Sequence, residues 1–145
     1  MLSEKIRKFL RGEVHTDTAT LEKYSEDASI FKVKPEAVVS PRDVDDLKKL
    51  VKFVAVEKKK GKNISLTARS GGTDMGGGPL NESIIVDFTA HFNRIKEVGD
   101  GYAVVEPGVF YRDFEKATLA HRGQIVPSYP ASREICTVGG MVANN

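Results

Sequence analysis

A glycine-dense stretch between two apolar runs constrains this chain more than any other feature. Ala68-Arg69-Ser70-Gly71-Gly72-Thr73-Asp74-Met75-Gly76-Gly77-Gly78 follows Asn63-Ile64-Ser65-Leu66-Thr67, which reads as a buried strand. It precedes a second strand over Ser83-Ile84-Ile85-Val86-Asp87-Phe88. Glycine tolerates positive φ and carries no Cβ, so such a loop lets several backbone N–H groups turn toward one point and cradle an anion. A lone glycine cluster is more often a mobile surface loop. Here Arg69 at the entrance adds a cationic fork and Thr73 a hydroxyl, which ranks anion binding first.

The segments around the loop set its frame. Pro35-Glu36-Ala37-Val38-Val39-Ser40-Pro41 centres on a short β run, and Ser40 with Pro41 reads as the start of a helix that carries Asp43 in its first turn. Val44, Leu47, Leu50, Val51, Val54 and Ala55 repeat at helical spacing up to Lys58-Lys59-Lys60-Gly61. Strand, helix and strand predict a βαβ unit with parallel pairing. Ahead of it, Ser3 to Leu10 and Thr18 to Tyr24 read as short helices. After it the pattern changes. Ile95–Val98 and Tyr102–Val105 flank Gly99-Asp100-Gly101, a hairpin signal. A helix then runs from Tyr111 to His121, and the rest is rich in turn residues.

The expected fold is therefore α+β: a small parallel βαβ-type subdomain, then the start of an antiparallel one. The boundaries are residues 1–34 for an N-terminal helical segment, 35–95 for the subdomain with the glycine loop, and 96–145 for the second, incomplete subdomain. With 22 basic and 20 acidic residues the formal charge of +2 is too small to suggest nucleic acid. No apolar run reaches membrane-spanning length. Cys136 is the only cysteine, which points to a reducing, cytoplasmic setting and a buried structural thiol. His15, His91 and His121 lack metal-ligand spacing, and Glu106-Pro107-Gly108 is explained as a strand-to-helix turn. No nucleophile–base or carboxylate pair can be assembled, so no catalytic residue is assigned.

The glycines also fail the Rossmann pattern, which opens a helix after the first strand. In order and spacing the blocks instead resemble the FAD-binding domain of FAD-linked oxidases, the PCMH-type group of vanillyl-alcohol oxidase, D-lactate dehydrogenase and glycolate oxidase subunits. The resemblance runs from about Leu21 to Asn145. It takes in Tyr24-Ser25-Glu26-Asp27-Ala28-Ser29, the glycine loop, Ile85-Val86-Asp87-Phe88 and Val105-Glu106-Pro107-Gly108-Val109. It closes with Pro127-Ser128-Tyr129-Pro130-Ala131-Ser132 and Thr137-Val138-Gly139-Gly140-Met141-Val142-Ala143-Asn144-Asn145.

The resemblance implies FAD as cofactor, with its pyrophosphate wrapped by Arg69, Ser70, Gly71, Gly72, Thr73, Met75, Gly76 and Gly77. Pro127, Ser132, Thr137, Gly139, Gly140 and Asn144 would pass along the flavin and ribityl portion. Members with covalent flavin often carry histidine where this chain has Thr73, so the FAD is expected to be non-covalent. Asp74 stands where related loops often have serine, and a carboxylate there repels phosphate unless it points away. Gly72→Val is expected to abolish FAD retention with little effect on the fold, and Arg69→Ala to weaken binding by about 1.5–3 kcal/mol.

The chain stops just after Asn144-Asn145, which reads as an N-terminal piece of a larger flavoprotein. That parent would oxidise a 2-hydroxy acid or other alcohol by hydride transfer to flavin, with a small-molecule substrate and catalytic residues beyond the end. Unpaired sheet edges would favour self-association. Two alternatives stand beside this: a flavin reductase of cell-wall precursor synthesis on a related fold, or a non-catalytic interaction module that binds no flavin by itself.

Overall fold

The computed structural model describes residues 1–144. Its first sheet holds four strands: β1 (Glu13–His15), β2 (Ala37–Ser40), β3 (Leu66–Arg69) and β4 (Ile84–Asp87). Their order is β1-β2-β4-β3. Strand β4 is parallel to both β2 and β3, with Ala37 opposite Ile84 on one side and Leu66 opposite Ile84 on the other. The βαβ reading was right in direction but not in adjacency: β2 and β3, joined by helix α3 (Val44–Lys59), are separated by β4. The two strands with three apolar residues in four, β2 and β4, take the interior positions, where both faces are covered.

All four residues of β2 and of β4 are buried. Alternation along the strands divides them between two cores. Val39, Ile84 and Val86 face Leu50 and Val54 of α3 and Ile6 of α1 (Leu2–Arg7). Val38 and Ile85 face Leu21 of α2 (Thr18–Tyr24) on the other side. Residues 1–34 are thus more than helical, because β1 pairs antiparallel with β2, Val14 opposite Val39. Three residues are too short a run to show an alternation, which is why the sequence hid this strand.

Helix α3 starts later than Ser40-Pro41 suggested. Asp43 is its N-cap, its carboxylate accepting from the backbone N–H of Asp45 and Asp46 at 3.0 and 3.1 Å. Ser40 remains in β2. The fully buried Asp46 accepts from the backbone N–H of Gly12, Arg11 and Arg42 at 2.9, 3.1 and 3.2 Å, tying the turn before β1 to the start of α3.

The second unit is a hairpin of β5 (Ile95–Gly99) and β6 (Tyr102–Val105), followed by α4 (Tyr111–Ala120). Ile95, Ala103 and Val105 pack on a core of Val109, Tyr111, Phe114 and Cys136. The final stretch is less irregular than its turn-rich composition predicts: Val138–Asn144 forms helix α5. Its glycines are accommodated because Val138 and Gly139 donate to the carbonyls of Val109 and Pro107, at 2.9 and 2.8 Å. Tertiary hydrogen bonds here outweigh poor helix propensity. Among the described residues, no helix is long and apolar enough to cross a membrane.

Candidate functional site

The glycine loop leaves the C-terminal end of β3, the end of a parallel sheet where open α/β sheets place their ligand crevices. Three sets of contacts hold it. At the entrance the Arg69 guanidinium donates to the backbone carbonyls of Tyr24 and Glu26, at 3.0 and 2.6 Å. It also stacks 5.0 Å from the Tyr24 ring centroid. In the middle, Ala28 N–H donates to the Asp74 carbonyl at 3.1 Å. At the exit, the Asn81 amide donates to Ser65 and Thr67 hydroxyls on the β3 side, at 3.0 and 2.9 Å.

In this structure the Nη1 and Nη2 groups of Arg69 donate to the segment 24–26, and only 9% of the residue is exposed, so the side chain braces the loop. Burial lowers its pKa, yet guanidinium remains cationic, and so a positive charge sits beneath the loop. The neighbouring Tyr24 hydroxyl is pushed up to about 12 by burial and by the charge of Asp87, so it stays neutral.

The expectation for Gly72 changes with it. Gly72 has φ +67°, and a Cβ on it would lie 2.5 Å from Arg69 Nη2. Gly72→Val therefore disturbs the fold as well as any ligand. Gly71 matters for a different reason: its Cα backs onto the Ile135 carbonyl, which a Cβ would approach to 2.5 Å. This contact brings the loop of the first unit against the residues between Ser132 and Thr137 in the second.

Among the described residues, the N–H groups of Gly71, Gly72, Thr73, Asp74, Met75 and Gly77 donate to no protein acceptor. Those of Gly76 and Gly78 donate to the Asp74 carboxylate at 3.0 and 2.8 Å. Consecutive unpartnered amides in a glycine-rich loop, beside a buried cation, fit a phosphate-bearing group. Ser70 and Thr73 are half-buried here, and Met75 is 81% exposed.

The second predicted set is only partly gathered. The Ser132 carbonyl accepts from Ile135 and Cys136 N–H, both at 2.8 Å, shaping the turn that meets Gly71. Thr137 is buried and its hydroxyl accepts from Gly140 N–H at 3.2 Å, so its side chain caps α5. Gly139 packs on Pro107, and Asn144 ends the exposed side of α5. Pro127 is exposed beside Val126, whose carbonyl accepts from the Tyr111 hydroxyl at 3.3 Å. Cys136 is buried, and burial raises its thiol pKa. Glu106 accepts from Arg94 N–H, Nε and Nη2 at 3.1, 3.2 and 2.9 Å, which fixes the turn and depresses its pKa.

Two features were not placed from sequence. The segment from Tyr24 to Phe31, of which Tyr24–Ser29 entered only as a block of the resemblance, packs against the loop, since it supplies the carbonyls for Arg69, the N–H for Asp74, and a ring against Gly77. An open cavity of about 380 Å³ also lies at the C-terminal ends of β2 and β4, lined by Glu13, His15, Tyr24, Ser40, Asp87 and His91. The cavity has no local signature; chain folding alone assembles it.

Residues 35–145 match the family model described as FAD binding domain. D-2-hydroxyglutarate dehydrogenase of Escherichia coli is 33% identical over 143 residues, which is 97% of this chain and 14% of that protein. Glycolate oxidase subunit GlcD of Bacillus subtilis is 29% identical over 127 residues, 84% of this chain and 26% of GlcD. The fold is similar to that of p-cresol methylhydroxylase, with a TM-score of 0.78 at 22% identity over 97% of this chain and 28% of that one. The chain thus spans a small fraction of the relatives it matches. A match over 35–145, with the glycine loop and its unpartnered amides inside it, places this chain in the FAD-binding domain family of the FAD-linked oxidases, with FAD as the cofactor.

Proposed function

We propose that this chain is the pyrophosphate-holding portion of a flavin-dependent oxidoreductase that oxidises a 2-hydroxy acid. The carrying observation is the run of unpartnered amides from Gly71 to Met75, braced by Arg69 from below and by Ile135 from the side. Bound FAD would supply the hydride acceptor, and the protein's contribution is to bind and orient it. Gly71, Gly72, Thr73 and Met75 would donate N–H groups to the pyrophosphate, with the Arg69 charge favouring the anion through the loop. Ser132 and the Thr137–Gly140 backbone would border the more distal part of the cofactor. Thr73 has no nucleophilic nitrogen, so attachment would be non-covalent. The 2-hydroxy-acid class is inferred from the relatives named D-2-hydroxyglutarate dehydrogenase and glycolate oxidase subunit.

The test is titration of the purified chain with FAD, followed by flavin fluorescence and thermal shift together. Saturable quenching with a raised Tm is expected. A folded chain that neither quenches FAD nor gains stability would overturn the assignment for this length of chain.

A further inference from the structure

Asp74 is the residue whose presence in an anion-binding loop most needs explaining. Its Oδ2 receives two backbone N–H groups, Gly76 at 3.0 Å and Gly78 at 2.8 Å, while its own carbonyl receives Ala28 N–H at 3.1 Å. Residue 74 is thereby fastened on both sides: to the 24–31 segment through its backbone, and to the far half of the loop through its carboxylate. The loop's amides fall into two sets. One set, at Gly76 and Gly78, is satisfied internally; the other, from Gly71 to Met75 with Gly77, is free.

We infer that Asp74 is a positioning residue: its carboxylate acts as a built-in anion that fixes the Gly76–Gly78 half of the loop and leaves the Gly71–Met75 amides to the flavin pyrophosphate. The inference rests on the flavin reading above. Glycine-rich backbone is costly to order because it has so much freedom to lose. A carboxylate accepting two N–H groups orders it before the ligand arrives, and such charge-assisted bonds are the stronger kind. Swinging the carboxylate aside would leave two amides unpartnered while residue 74 stayed anchored to Ala28, which disfavours direct competition with the pyrophosphate. The like-charge repulsion is offset in sign by the Arg69 cation beneath Gly72.

The experiment compares wild type, Asp74→Ala and Asp74→Asn of the whole chain by NMR amide exchange and by FAD titration. In the free chain, the Gly76 and Gly78 amides should exchange more slowly than those of Gly71–Met75, and Asp74→Ala should erase the difference. Asp74→Ala should weaken FAD binding about tenfold, the scale of one charge-assisted hydrogen bond. Asp74→Asn keeps an acceptor oxygen and should recover most of the affinity. FAD should move the Gly71–Met75 resonances more than those of Gly76 and Gly78. Tighter FAD binding in both variants would overturn the inference by making the carboxylate a competitor. Unchanged binding in both would equally overturn it. Wild type that binds no FAD would overturn the flavin reading and this role with it, an outcome visible before any variant is made.

Discussion

The two units of this chain hold themselves together differently. In the first, β2 and β4 are buried on both faces between helices, and two buried carboxylates are tied down: Asp46 by three backbone N–H groups, Glu57 by three lysines. In the second, the hairpin exposes one face, with Tyr102 54% and Val104 44% accessible, and its core is a small group around Tyr111 and Phe114. The difference teaches where rigidity is placed. The glycine loop grows from the stiff sheet, and the Gly71–Ile135 contact leans it on the looser unit.

The comparison breaks first if the core of the first unit is not dominant. Leu50 is fully buried between α3 and the sheet. Leu50→Ala should cost about 2–5 kcal/mol by denaturant unfolding, as transfer and cavity terms combine. A loss as small as that of a surface substitution would refute the picture.

Arg69→Ala comes next. It strips the carbonyls of Tyr24 and Glu26 of their donors, so stability should fall by about 1–3 kcal/mol, the cost of unsatisfied buried groups. FAD affinity should fall with it as the loop loses its floor. Lost affinity with an unchanged melting curve would restore Arg69 to the role of direct ligand.

A smaller effect is confined to acid. Lys62 and Lys60, then Lys5, hold the Glu57 carboxyl down at about 2, which docks α1 onto the end of α3. Its unfolded value is about 4.3. The folded pKa is the lower one, so this stabilisation is present above about pH 4.3 and is lost as pH falls toward 2. Glu57→Gln should lower Tm at neutral pH and flatten its fall over that window. A variant curve parallel to wild type would remove Glu57 from the account.

The smallest effect belongs to the hairpin. Val104→Ala should stay within about 0.5 kcal/mol, as for surface positions generally. A loss rivalling Leu50→Ala would mean that the two units are equally tight.

Much of this was legible beforehand because it is written in local chemistry. The apolar runs marked β2 and β4, the 3.6-residue repeat marked α3, and Gly99-Asp100-Gly101 marked the hairpin turn. The order of blocks carried the family. The three-residue β1 and the glycine-bearing α5 were not legible, since each is stabilised by partners distant in sequence, Val39 for one and Pro107 for the other.

The site divides along the same line. That a glycine loop between buried strands offers amides to an anion follows from the sequence alone, because φ freedom and a missing Cβ are properties of the residue. Which amides remain free, and that Arg69 donates to the Tyr24 and Glu26 carbonyls, were decided only when residues 24–31 folded against the loop. A side chain's donors go to the nearest acceptors in space, and spacing along the chain does not reveal which those are.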